Sequence, residues 1–181
     1  MDHNGMMMVA NSTNRRRRQR HGSVLALTPA VLAVLCVMTV FTVDVGYLYI
    51  AEAELATAAE AAALAGALKL RDDEVGWVVR DSSIEFAELN EPNSGDILVN
   101  DDITLGVWDF DTRSFEATVI DPNAVSVTVR RDGQNTAAVP VFFAGIFGMQ
   151  EVNVSGSAIA AFEVTIDEDG NEERSVPAVV Q

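Results

Sequence analysis

Residues 24–43, VLALTPAVLAVLCVMTVFTV, carry no charge, and nothing interrupts the chain after them. The following stretch, TVDVGYLYIAEAELATAAEAAALAGAL (42–68), has no proline and no cluster of turn residues. As a helix, twenty residues rise about 30 Å, the thickness of a hydrocarbon core. A buried core helix shows the same apolar character. However, this run exceeds the threshold of about 18 residues for a membrane span, and a basic cluster flanks it. The pattern is read as a transmembrane helix whose ends are Val24 and Val43. Pro29 removes one backbone hydrogen bond, a loss that membrane helices tolerate. Beyond Val43 the helix is expected to continue as an alanine-rich rod over residues 44–70.

The basic cluster is RRRRQRH, with Arg15, Arg16, Arg17, Arg18 and Arg20. Under the positive-inside rule it stays in the cytoplasm, so the chain after Val43 lies outside. Residues 1–23 then form a basic cytoplasmic tail. Charge is divided to match: residues 1–43 sum to +4 and residues 44–181 to −19, giving the net −15. An acidic body of this kind repels phosphate backbones, which excludes nucleic acid as a partner. The apolar run is longer than the ~7–15 residues of a secretory signal core, and no small-x-small cleavage site follows it. Leu35, before Cys36, is not the small residue that a lipoprotein anchor needs. The anchor is expected to remain uncut, with the bilayer as a permanent partner.

Little catalytic chemistry is available outside the membrane. Cys36 is the single cysteine, so no internal disulfide forms, and the two histidines, His3 and His21, precede the span. The rest of the chain therefore lacks the residues for histidine-based zinc sites, Cys–His pairs and Ser–His–Asp triads. It also lacks a glycine-rich phosphate loop. Two groups of carboxylates need weighing. Asp109 and Asp111 in WDFD, with Asp101 and Asp102, are read as a solvated turn rather than a cation site or an acid–base pair. DEDGNEE (167–173) resembles a calcium loop through Asp167, Asp169 and Asn171. Glu172 holds the required glycine position and Ala178 the bidentate one, so no EF-hand is expected. Neither a cofactor, a metal nor a small-molecule substrate is expected.

The rod and the region behind it read as α+β. Ala58, Ala62 and Gly66, four residues apart, make a stripe of small residues on one helix face. Tyr47, Ile50 or Ala51, and Leu55 extend the stripe toward the membrane. It suits close contact either with the chain's own sheet, expected for the outer half, or with a neighbouring protein, expected nearer Asp44. Asp44 at the water edge is open to two readings: a plain interfacial helix residue, or a polar contact for a partner's basic residue. A second helix is expected over 72–89, opened by Asp72 and Asp73, with Val75, Val78, Val79, Phe86 and Leu89 at helical spacing. NEPNSGD (90–96) then breaks it.

From residue 103 the period changes to two. Ile103, Leu105 and Val107 alternate with Thr104, Gly106 and Trp108, and Val125, Val127 and Val129 with polar residues. A long last strand is expected from Val152 to Val164, with Gly156, Ala158 and Ala160 on its core face. The small residues of that face and of the rod should let helix and sheet approach closely. VPVFFAGIFGM (139–149) reads as a short apolar helix or turn stopped near Gly148. Its Phe142, Phe143, Ile146 and Phe147 are candidates for an apolar contact, with burial favoured. Residues 71–166 form the outer domain in this reading. Residues 167–181 follow as an acidic, flexible tail with a hairpin turn at DEDGN.

The residues from the arginine head to the alanine-rich helix resemble the N-terminal region of TadE/TadG-like proteins of the tight-adherence (Flp pilus) assembly system. The shared pattern runs through Gly22, Pro29, Asp44, Gly46, Leu55, Ala58, Ala59, residues 61–65 and Gly66. GVWDFDTRSF (106–115), NAVSVTVRR (123–131) and the segment 139–162 are similar to the outer domain of the same family. The resemblance implies a long N-terminal helix packed on a small antiparallel sheet, in a pilin-like arrangement. It also implies a single-pass, non-enzymatic protein of the bacterial inner membrane. Its outer domain is periplasmic, and it works with other pilus-assembly or pilin-like membrane proteins in an adhesive pilus. Two features depart from related patterns. Leu27 occupies the place of the glutamate that follows a prepilin cleavage site. DSSIE (81–85) lacks the spacing of the metal motif in von Willebrand-type domains. Two other functions fit the residues: a membrane-tethered binding module for an envelope polymer or ligand, and a hydrolase using paired carboxylates.

Overall fold

A computed structural model of the chain describes residues 22–90, 102–133 and 136–180. The chain divides into two units, Met1–Thr39 and Val40–Gln181. Helix α1, Gly22–Arg71, is a 50-residue α-helix that contains Pro29. In the first unit, every side chain at residues 27–39 is exposed. The hydroxyl of Thr39 donates to the Leu35 carbonyl at 2.9 Å, so this polar group is satisfied inside the helix. Leu27–Arg71 is long and apolar enough, by length and composition, to cross a membrane.

Helix α1 ends at a tight turn. The amides of Asp72, Asp73 and Glu74 return to the carbonyls of Leu68, Leu70 and Lys69, and Asp73 takes a left-handed φ of 60°. Asp72 and Asp73, expected to open the second helix, thus close the first. An aspartate tolerates the left-handed conformation that terminates a helix. Helix α2 starts later and spans Gly76–Asn90. Its buried residues are Val79, Ser83 and Ala87, whereas Val75, Phe86 and Leu89 of the expected apolar set are exposed. Close packing explains the exchange. Gly66 of α1 lies so near α2 that a Cβ there would collide with the Ser83 hydroxyl. Only small or slim side chains of α2 fit such an approach, and Ser83 satisfies its hydroxyl on the Val79 carbonyl at 3.1 Å.

The strands are β1 (Ile103–Asp109), β2 (Ser114–Ala117), β3 (Ala124–Arg131), β4 (Val139–Pro140), β5 (Glu151–Val152), β6 (Val154–Ala161), β7 (Val164–Ile166), β8 (Glu172–Arg174) and β9 (Ala178–Val180). An antiparallel sheet has the order β2-β1-β3-β6-β9, while β4–β5 and β7–β8 are separate pairs. The expected long last strand is divided among β5, β6 and β7, which belong to three different sheets. Its central part keeps the expected core face: Gly156, Ala158 and Ala160 are buried. Strands β8 and β9 occupy the region read as a flexible tail, because β9 pairs with the free edge of β6 at residues 159–161.

Both helices cover one face of the sheet. Val125, Val127 and Val129 of β3 are fully buried with Leu55, Ala58, Ala59 and Ala62 of α1. At Gly156 the helix meets the sheet backbone to backbone. A Cβ there would stand 2.5 Å from the Leu55 carbonyl carbon and 2.7 Å from Ala56 Cα. The small residues on helix and strand produce this approach. The other face is not wholly polar: Trp108, Ala124 and Ala161 are buried there against Phe115, Ile159 and Val180. Trp108, on the alternate face of β1, is buried because the β2 partner Phe115 lies beside it across the strand pair.

Candidate functional site

In unit Val40–Gln181, a contact between α1 and the loop after β4 ties together residues about a hundred positions apart. β4 and β5 pair at Val139 with Val152 and at Pro140 with Glu151, which brings the two ends of loop 141–150 together. The Val141 amide extends the ladder by donating to the Gln150 carbonyl at 3.1 Å. Within the loop a 3-10 helix, Ala144–Phe147, ends at Gly148, whose φ of 90° is the left-handed form that glycine accepts readily. Three successive amides before and at the start of this turn point to one carboxylate. Phe142 N donates to Asp44 Oδ1 at 3.0 Å, Phe143 N to Oδ2 at 3.0 Å and Ala144 N to Oδ2 at 2.7 Å. One turn further along α1, the Tyr47 ring meets the Phe142 ring edge-on at 5.4 Å.

Asp44 is 5 % exposed. Burial pushes its carboxyl up, but the amides of Ala144, Phe143 and Phe142 together outweigh burial and hold it below the ordinary 3.8. The group is therefore an ionised acceptor occupied by its own chain, a structural clasp rather than a proton donor. The sequence marks Asp44 as notable but contains no signal that pairs it with residues 142–144.

The other residues of the expected assembly face are arranged in the same way. Ala51, Leu55, Ala58 and Ala62 are buried, as is Gly66, while Tyr47 keeps partial exposure beside Phe142. The stripe faces the unit's own sheet and α2. Phe142, Phe143 and Ile146, contrary to the burial expected of them, are exposed, and the side chain of Phe147 lies outside the described residues. Val43 is half exposed. The side chain of Val24, the arginines at 15–18 and 20, and Asp101 also lie outside the described residues.

The acidic turns are occupied by local bonds. Asp109 Oδ1 accepts from the amides of Asp111 at 2.8 Å and Thr112 at 2.9 Å, closing the β1–β2 turn. Asp167 Oδ1 likewise accepts from Asp169 N and Asn171 N in the β7–β8 turn. Asp102 pairs with Arg130. Among the described residues no three His, Cys, Asp or Glu side chains gather as a metal site would require. One further link carries no signal in the sequence. Arg174 of β8 donates to the Arg71 carbonyl at 2.7 Å and to Asp73 Oδ1 at 2.5 Å, covering the C-terminal end of α1.

No curated protein and no solved structure matches the chain. One family model does, described as Tad-like Flp pilus assembly, and it matches residues 44–160. The match starts at Asp44 and takes in both partners of the clasp, the α1–sheet interface and strands β1, β2 and β3. A match over this share of the sequence, on a fold of the expected α+β kind, means that the chain belongs to the Tad-like Flp pilus-assembly family.

Proposed function

We propose that the protein is a non-enzymatic, single-pass component of a Flp-type pilus machine, an assembly part or minor pilin-like subunit. Helix α1 anchors it in the bacterial inner membrane through residues 24–43, the arginine head stays in the cytoplasm, and the α+β unit works outside. The observation that supports this reading most is the contrast along α1. Its apolar side chains are exposed at residues 27–39, whereas Leu55, Ala58, Ala59, Ala62 and Ala63 are fully buried in the core. A water-soluble helix gains nothing from the first arrangement, and lipid accommodates it at no cost. Of the carboxylates that could serve hydrolysis, Asp102 is engaged in an ion pair and Asp109 in a turn. An assembly role draws on surfaces rather than on such groups.

Detergent extraction followed by affinity purification tests the proposal. The tagged full chain is expected to co-purify with other pilus-assembly proteins, and deleting its gene to remove surface pili. Recovery of the protein alone, carrying an envelope polymer, from cells that still make pili would favour the tethered binding module instead.

A further inference from the structure

We propose that loop 141–149 is a second membrane contact, a lipid-facing foot that rests in the outer headgroup–acyl boundary. This rests on the membrane anchor proposed above and adds a lipid surface on the folded unit itself. Four observations lead to it.

The first is exposure. Ile146 is 79 %, Phe142 63 % and Met149 59 % exposed, although they lie close together in one short loop. Large apolar groups grouped in this way mark an interaction surface. The second is position. The loop is bonded to Asp44, the residue directly after the uncharged run that ends at Val43. A helix residue at that place stands at the edge of the hydrocarbon, so a loop clasped to it stands there too. Tyr47, edge-on to Phe142, is the kind of aromatic side chain that collects at membrane interfaces.

The third observation concerns charge. Residues 133–150 include no Asp, Glu, Lys or Arg, within a region of net charge −19. The fourth concerns the backbone. A loop in water can leave its amides to solvent, but one that touches hydrocarbon must satisfy them internally. Here the amide of Val141 bonds Gln150, those of 142–144 bond Asp44, and those of Ile146, Gly148 and Met149 bond Phe143, Gly145 and Ala144. Pro140, just before the loop, has no amide to satisfy. An apolar exterior over a backbone with seven amides bonded internally suits a lipid surface, and an aqueous partner requires neither the position nor those bonds.

The test uses the full chain in vesicles of phosphatidylethanolamine and phosphatidylglycerol. In a Cys36→Ser background a nitroxide is placed by Ile146→Cys, by Val119→Cys as an exposed reference elsewhere on the unit, and by Leu32→Cys within the span. Collision with oxygen, which concentrates in lipid, is compared with collision with a water-soluble nickel chelate. The label at 146 is expected to favour oxygen as the label at 32 does, several-fold more than the label at 119. If 32 reports lipid while 146 matches 119, the foot is wrong and the anchor stands. If 32 itself reports water, both readings fail. If the label at 146 is shielded from both reagents and broadened by spin–spin coupling, a second copy covers the loop, and the lipid assignment is overturned.

Discussion

Among single residues, Asp44 shows how backbone amides hold a nearly buried carboxylate below its ordinary value. Three amides supply the donors, and they belong to a loop that also meets α1 through the Tyr47–Phe142 ring contact. Asp44→Ala would leave those amides without their acceptor at a part-buried site, a costly outcome for donors held partly away from solvent. Asp44→Asn keeps one acceptor oxygen and loses the charge. The expected order of melting temperature is wild type, then Asn, then Ala, and alanine should also raise hydrogen exchange at 142–144. Equal melting and equal exchange for wild type and Ala would show that the clasp contributes nothing. Arg174 plays the complementary part at the far end of the helix. Its charge is held firmly, chiefly by the hydrogen bond to Asp73, while it covers a terminal carbonyl.

Between elements, the unit depends on how near α1 comes to the sheet. The same substitution should have opposite effects at two glycines of the chain. Gly156→Ala places a methyl against the backbone of Leu55 and Ala56, which cannot move aside singly. Such overpacking costs roughly 1–3 kcal/mol and should lower the melting temperature by several degrees. Gly46 lies inside α1, and a methyl group added there would meet nothing within 4 Å. Gly46→Ala should therefore stabilise by about 0.5–1 kcal/mol through helix propensity. Thermal melts of the two variants in one detergent decide it. A stable Gly156→Ala would mean that helix and sheet are free to separate at that point.

For the molecule taken whole, acid should weaken the fold in a definite range. Asp109 is held below 3.8 chiefly by the Thr112 amide, and Asp167 chiefly by the Asn171 amide, with Asp44 in the same direction. A depressed carboxyl means that the unfolded chain takes up its proton first as pH falls. The stability these groups provide is complete above their ordinary value of 3.8 and is lost as pH drops through it toward the lower folded values. Relief of self-repulsion in a chain of net charge −15 acts in the opposite sense, so slopes must be compared rather than absolute values. Melting temperature against pH should fall less steeply below about pH 4 in the Asp109→Asn, Asp167→Asn double variant than in wild type. Parallel curves would show that the two turns do not contribute.

Elements whose signal is local are legible in the order of amino acids alone. An uncharged run reads as a span, the alanine-rich stretch as helix, and alternating valines at 125, 127 and 129 as a half-buried strand, because each depends only on period and composition. The small residues at 58, 62, 66, 156, 158 and 160 even imply a close helix–sheet contact. Pairings across long separations become visible only once the chain is folded. Asp44 finds the amides of 142–144, Arg174 finds the end of α1, and β9 finds the edge of β6. Backbone amides and carbonyls are the same at every position, so no residue pattern announces which of them a distant side chain will meet. Burial on α2 goes to Val79, Ser83 and Ala87 rather than to its larger apolar residues for a related reason. The room available on a helix face is set by what packs against it, and the helix's own sequence does not contain that information.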